Sequence, residues 1–378
     1  MVKGMLWAAA GKGLPPEFQI DTPIMPYKGH SIEARIYAED PLRGYLPSTG
    51  PLVPYVEPEA TGKGSSYLRL DSGVSQGHVV SPYYDPMLSK IISYGQTRQE
   101  AIDILANGLD RYVIEGVRHN ARLCNAVLRH PEFVAGNTPT SFLPNHIPEF
   151  KGVQLSDSQM EEMALSVALI QLTRESYLQR PLVEEPDAPV IVKLGGMFGT
   201  PFSIEIGDEG ATVKRLPSHE DDIEGAPRFI AFDDLEYEPE RYLAHVALDG
   251  VARTLQVLDE DMTGELFVQM YGAKMSCLME SPREYELSKW MHVPKEVDTS
   301  NFVMSPMPGT LISYAVKEGD SVELDQELCI VEAMKMQNII RAPRAGVIRH
   351  CLVDVGSSMM ADQIILEYMH EEEESEAA

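Results

Sequence analysis

The chain has 378 residues, 44% of them apolar and 24% charged, which is ordinary globular composition and too much chain for a single core. Its net charge of -27 would be repelled by a phosphate backbone, so nucleic-acid binding is disfavoured. No apolar run reaches membrane-spanning length, and the four cysteines (Cys124, Cys277, Cys329, Cys351) form no CxxC pair and have no histidine cluster, so no metal site or disulfide framework is indicated and a reducing compartment fits.

In chain order, Met5 to Ala10 reads as a helix end rather than a signal sequence, and no organelle-targeting segment is visible. Strand-like stretches follow at His30–Tyr37 and Leu52–Val56. Ala101, Ile102, Leu105, Leu109 and Tyr112 recur at helical spacing, which predicts a helix over Thr97–Val113, and a second helix is predicted over Asn120–Leu128. Residues 1–152 therefore read as an α+β domain. The next segment, 153–293, opens with a capping box at Ser158 and Glu161 and a helix to about Gln179. From Met163 to Leu172 that helix is apolar on nearly every side, so it should be enclosed by protein. Strands are predicted at Phe202–Ile206, Ala211–Arg215, Arg228–Phe232, Tyr242–Leu248, Ala252–Leu258, Glu265–Tyr271 and Lys274–Leu278, with hairpin turns at Asp249-Gly250 and Tyr271-Gly272. An antiparallel sheet curled around one central helix would hide the apolar faces of both. Residues 294–301 read as a linker, 302–369 as glycine-punctuated strands, and 370–378 as an acidic, solvated, disordered tail.

The 302–369 segment repeats itself with an offset of 37 residues. Pro306, Gly309, Gly319 and Gln326 correspond to Pro343, Gly346, Gly356 and Gln363. A unit this short cannot bury a core alone, so two copies should pack as a pseudo-symmetric β-sandwich. The connection between them, Glu332-Ala333-Met334-Lys335-Met336-Gln337, should be an exposed hairpin tip with Lys335 at its crown. By itself such a lysine is an ordinary surface residue. Met334 and Met336 beside it are apolar groups where solvent rewards none, and they read as a recognition surface for a modifying enzyme that acylates the lysine and removes its charge.

Glu332 to Met336 resembles the biotinyl-lysine motif of biotin carboxyl carrier domains, and Ser305-Pro306-Met307-Pro308-Gly309 resembles the opening strand of that flattened, hammerhead β-sandwich. Lipoyl carriers share the fold but usually place an acidic residue before the lysine. Residues 29–47 (GHSIEARIYAEDPLRGYLP), Ser81 to Met87, and Tyr112 to Asn120 resemble the carboxyl-terminal domain of biotin carboxylases. That resemblance implies that Arg35 meets the biotin ureido oxygen, where a fixed guanidinium stabilises negative charge that gathers when the neighbouring nitrogen is deprotonated. Without it, Arg35 is a strand arginine paired with Glu33 or Glu39. Asp85 is expected to fix its turn rather than to catalyse.

The helix-and-barrel segment resembles, in order and length more than motif, the domain that docks a biotin subunit onto its carboxyltransferase partner. The family is that of biotin-dependent acyl-CoA carboxylases, and Ser305–Gly309 and Glu332–Asn338 favour the propionyl-CoA type over the methylcrotonyl type. The family resemblance implies covalent biotin, a carboxyltransferase beta subunit and a biotin protein ligase as partners, a hetero-oligomer, and a mitochondrial matrix or bacterial cytoplasmic setting. ATP, magnesium and bicarbonate would be handled by an upstream ATP-grasp domain. Its glycine-rich loop and Glu-x-Asn-x-Arg-x-Gln-Val-Glu-His run are not in this sequence, and Val2 to Met5 resembles the point just after it, so a truncated chain or incomplete gene model, inactive alone, is expected. The rival expectation is a carrier or assembly module without chemistry of its own.

Overall fold

The computed structural model describes residues 2–16, 28–60, 66–81, 84–178, 189–217, 225–292, 300–333 and 336–369. Most of the 294–301 linker, the 370–378 tail, Met334 and Lys335 lie outside the described residues.

A first helix, α1 (Val2–Ala9), precedes a three-stranded antiparallel sheet of β1 (His30–Tyr37), β2 (Tyr67–Ser72) and β3 (Met87–Gly95), in the order β1-β3-β2. Helix α2 (Arg98–Asp110) packs on it, capped by the Thr97 side chain, which accepts from the Glu100 N–H. The helix stops short of the predicted Val113. Tyr112 turns into the core, 1% exposed, and Val113–Ile114 pairs as a short strand with Tyr55–Val56. Only Tyr55–Val56 of the predicted Leu52–Val56 strand is extended in a sheet; Leu52 is fully buried between the strand pieces. Helix α3 (Ala121–Arg129) follows Asn120 and ends before Pro131, as its pattern predicts.

Helix α4 (Asp157–Leu178) opens the second unit. Its capping box is Ser156 with Gln159, two residues before the predicted pair. The Ser156 hydroxyl accepts from the Gln159 N–H, and the Gln159 side chain accepts from the Ser156 N–H, so Ser158 is already inside the helix. Met163, Ala164, Leu165, Val167, Ala168, Leu169 and Ile170 are each at most 8% exposed. The cause is a nine-stranded antiparallel sheet wound around them: β4 (Val190–Leu194), β5 (Thr200–Ile206), β6 (Gly210–Arg215), β7 (Arg228–Ala231), β8 (Glu236–Glu238), β9 (Leu243–Leu248), β10 (Val251–Glu260), β11 (Leu266–Met270) and β12 (Ala273–Glu280). The order is β7-β6-β5-β4-β12-β11-β10-β9-β8, and a bridge between Phe232 and Leu248 brings the two ends of the sheet together. Asp249-Gly250 and Tyr271-Gly272 carry positive φ at both positions, the mirror-image turn that two-residue hairpins require. Sequence periodicity passes over β4 because every residue in it is buried and nothing alternates; its Lys193 is neutralised by Glu280 at 2.8 Å. Helix α5 (Pro282–Ser288), also unpredicted, starts on a Ser281–Glu284 capping box.

The first two units share an interface. Gln256, 2% exposed, donates to the carbonyls of Asp110 (3.0 Å) and Tyr112 (3.1 Å), and Val113, Leu243 and Leu258 form a small apolar cluster. Lys274 closes its edge on Glu115 at 2.7 Å.

The third unit contains β13 (Phe302–Met304), β14 (Gly309–Tyr314), β15 (Ser321–Val322), β16 (Glu327–Ala333), β17 (Met336–Arg341), β18 (Gly346–Cys351), β19 (Ser358–Met359) and β20 (Ile364–Tyr368). They form two four-stranded sheets, β17-β16-β14-β19 and β13-β20-β18-β15. The repeat carries β14, β15 and β16 onto β18, β19 and β20. Each sheet borrows strands from the other copy, so neither half closes alone. The repeated glutamines brace equivalent turns. Gln326 accepts from the Glu323 N–H and Gln363 from the Met360 N–H, both at 2.9 Å. Asp325 and Asp362 share a left-handed φ of 63° and 61°. Among the described residues, no helix is long and apolar enough to cross a membrane.

Leu165 is fully enclosed by the barrel. Leu165→Ala should lower unfolding stability by about 2–5 kcal/mol, read by urea denaturation, because the surrounding sheet cannot collapse into the space.

Candidate functional site

Two places carry the candidate chemistry. At the first, β16 and β17 pair antiparallel and their register closes at Ala333↔Met336. The hairpin thus runs through sequence positions 334 and 335, which lie outside the described residues, as does the Met336 side chain. The turn at Ser305–Gly309 braces this end of the sandwich. Ser305 is fully buried and its hydroxyl donates to the Met307 carbonyl at 2.6 Å. Met307, 1% exposed, lies under Asn338, whose Nδ2 donates to its sulfur at 3.5 Å. A Cβ on Gly309 would stand 2.7 Å from the Glu332 carbonyl, so only glycine lets β14 approach the strand that leads into the hairpin.

The second place is β1. Arg35 projects from it with its side chain 58% exposed and its Nε donating to Glu33 Oε1 at 2.8 Å. The pairing with Glu33 expected of a plain strand arginine is present, and Glu39 is not its partner. The guanidinium has donors beyond that one bond. Glu33 and Tyr37 both hold its pKa up, so it stays charged throughout the accessible range. Asn120 fixes the backbone beneath it: Nδ2 donates to the Arg35 carbonyl at 3.1 Å and Oδ1 accepts from the Tyr37 N–H at 3.0 Å. The 29–47 and 112–120 stretches are thereby brought together by Asn120, a residue within the second stretch that its sequence pattern does not single out. Asp85 Oδ1 accepts from the Met87 N–H at 2.9 Å, the turn-fixing role expected of it.

Next to Asn120, His119 is surrounded by Arg118, Arg122 and Lys274. Burial first, then the Arg122 and Lys274 charges, push its pKa down to about 3. Its ring is neutral: Nδ1 accepts from the Ala121 N–H at 3.3 Å, and the ring also bonds to the Ile114 backbone.

Residues 33–145 match the family described as Biotin carboxylase C-terminal domain, and residues 301–367 match Biotin-requiring enzyme. A propionyl-CoA carboxylase alpha chain of Ruegeria pomeroyi is 33% identical over 390 residues, covering 97% of this chain and 55% of that one. This chain is similar to propionyl-CoA carboxylase alpha chains. The mitochondrial protein of that name from Mus musculus is 35% identical over 361 residues, covering 93% of this chain and 48% of its own. The mouse methylcrotonoyl-CoA carboxylase subunit alpha is 29% identical over 387 residues, covering 100% of this chain and 51% of its own. The chain thus spans about half the length of the curated relatives it matches.

A base whose folded pKa is depressed binds fewer protons folded than unfolded, so stability rises with pH between the two values. For His119 that stability is complete above about 6.5, the unfolded value, and is lost as pH falls toward about 3. In thermal denaturation from pH 7 to pH 4, His119→Gln should flatten the stability loss by up to about 1.4 kcal/mol per pH unit relative to the parent. An unchanged slope would mean that the ring is not held neutral.

Proposed function

We propose that this chain is the biotin-carrying subunit of an acyl-CoA carboxylase, a ligase, with biotin joined to the Lys335 side-chain amine through an amide bond. The observation that carries the reading is the strand-exchanged repeat whose β16–β17 register closes around positions 334 and 335, in a segment that matches the biotin-requiring family. Met334 and Met336 are the surface a biotin protein ligase would grip. When bound, biotin supplies a ureido nitrogen that takes up a carboxyl group at one site and releases it at another.

The chain's own residues bind, orient and carry. The lysine stem gives reach, and tethering keeps the effective concentration high at both sites. Arg35, braced by Asn120, offers a fixed positive charge to the oxygen on which negative charge develops. ATP, magnesium and bicarbonate are handled by an ATP-grasp domain. The carboxyl acceptor is propionyl-CoA, bound by a carboxyltransferase beta subunit in a hetero-oligomer, with methylmalonyl-CoA as product. The 153–293 unit is the docking element for that subunit. The identity to propionyl-CoA carboxylase chains, 30–35% against 29% for the methylcrotonoyl-CoA chain, supports this acyl group over methylcrotonyl-CoA. Relatives named mitochondrial and a bacterial one make either setting suitable.

Co-expression with a biotin ligase should add one biotin to the intact mass, and Lys335→Ala should abolish streptavidin capture without changing the melting temperature. Capture that survives the substitution would put the cargo elsewhere. With an ATP-grasp domain supplied as a separate protein, Arg35→Ala should slow bicarbonate-dependent carboxylation about 100-fold or more while leaving biotinylation intact. Parent-like rates would reduce Arg35 to the partner of Glu33.

A further inference from the structure

The carrier unit has two equivalent turns, one from each copy of the repeat, and they are used differently. Residues 323–326 and 360–363 share the same glutamine brace and the same left-handed aspartate. Both turns are closed on the carrier by the same backbone bond, Asp325 N–H to the Ala342 carbonyl and Asp362 N–H to the Ser305 carbonyl, and in the first Arg341 Nη1 also donates to the Asp325 carbonyl at 2.8 Å. Leu324 at its tip is 64% exposed. The 360–363 turn instead faces the first unit. Asp362 Oδ1 accepts from Arg43 Nη1 at 3.0 Å, across 319 residues of sequence.

Arg43 is held for this contact. It ends a short 3-10 turn, Pro41–Arg43, capped by the Asp40 side chain and closed by Gly44 at φ 66°. Beside the ion pair lies a cavity of about 500 Å³. Pro306, Pro308 and Met360 of the carrier line one side of it; Thr49, Arg118 and Lys274 line the other. The carrier wall includes Pro306 and Pro308 of the Ser305–Gly309 turn, whose Gly309 lies against the Glu332 carbonyl. Residues 302–369 contain five basic and nine acidic residues, and the facing wall carries Arg43, Arg118 and Lys274 against Asp40 and Glu115, the last of which already pairs with Lys274, so a small excess of positive charge meets the acidic carrier.

We propose that this seam is a resting dock for the carrier unit: the 360–363 turn seats against the wall that holds Arg43 and Arg118, latched by the Asp362–Arg43 ion pair. The dock is built to let go. Its ion pair is 46% and 60% exposed on its two sides, the class of contact that is weak and screened by salt, and the cavity beside it leaves the two surfaces incompletely packed. The first and second units, by contrast, share a buried glutamine and an apolar cluster. A carrier that must reach two distant sites needs a contact of the former kind. This rests on the carrier reading above.

The test is proximity in the full chain. Thr49→Cys and Ala361→Cys, in a Cys351→Ser background, are bridged with a short bismaleimide and read as a gel-mobility shift. The mirror pair, Thr49→Cys with Leu324→Cys, reports the unused turn. Bridging of the first pair should be fast at low salt, at least twofold slower in 0.5 M salt, and slowed similarly by Arg43→Asp. The double reversal Arg43→Asp with Asp362→Arg should restore the rate, which also excludes misfolding as the cause. Equal bridging of the mirror pair, or a rate indifferent to both salt and charge reversal, overturns the dock. Biotinylation is assayed separately by streptavidin capture, so a chain that takes no biotin but bridges normally refutes the carrier reading and leaves the dock standing.

Discussion

Neither half of the 37-residue repeat can close its own sheet. Each four-stranded sheet of the carrier unit needs strands from both copies, with β15 lent to β18 and β19 lent to β14. This mutual borrowing makes a single core from two fragments too small to bury one, and both halves must fold together. It also decides where the chain passes from one copy to the next. The passage is the β16–β17 hairpin, and the register on either side leaves room for two sequence positions between Ala333 and Met336. The strands that flank that passage are braced by Ser305, Met307 and the close approach at Gly309.

The first unit applies a different device to its arginine. An exposed strand residue ordinarily has a loosely defined position. Here Asn120 bonds the backbone on both sides of Ile36, which is itself fully buried, so the strand beneath Arg35 cannot shift without breaking two side-chain bonds. Asn120 also immediately precedes α3 and follows the neutral His119. The cost of packing Arg118, Arg122 and Lys274 near that ring is met by keeping the ring uncharged and by setting Glu115 against Lys274. Hydrogen bonds and charge placement thus add to the apolar burial of Ile36, Tyr112 and Ile114 in fixing this region.

The middle unit supplies the anchor. Its helix is enclosed by the sheet from Met163 to Ile170, and the buried carboxylate just before that stretch, Glu162, is met by Arg253 at 3.0 Å and by the Tyr271 hydroxyl. A buried carboxylate is tolerable only with such partners. With the first unit fastened to this barrel by buried contacts and the carrier touching the body through an exposed ion pair, the three units differ in how freely they can separate. The hierarchy follows from the chemistry of each seam, since buried hydrogen bonds and apolar area resist water and salt while an exposed ion pair does not.

The repeat, the apolar stretch of the central helix and the two-residue hairpins were legible in the sequence, because each depends on local spacing or on a residue type that a turn demands. Gln326 and Gln363, Asp249-Gly250 and Met163 to Ile170 are such cases. What tertiary structure alone decided was anything settled by partners distant in sequence. Strand β4 gave no alternation because both of its faces are covered, and α2 ended early because Tyr112 was needed in the core. The clamp of Asn120 on Arg35 spans 85 residues and the Arg43–Asp362 contact spans 319, separations at which no periodicity can operate. Local spacing encodes turns and faces; which charges meet is determined only when the units have packed.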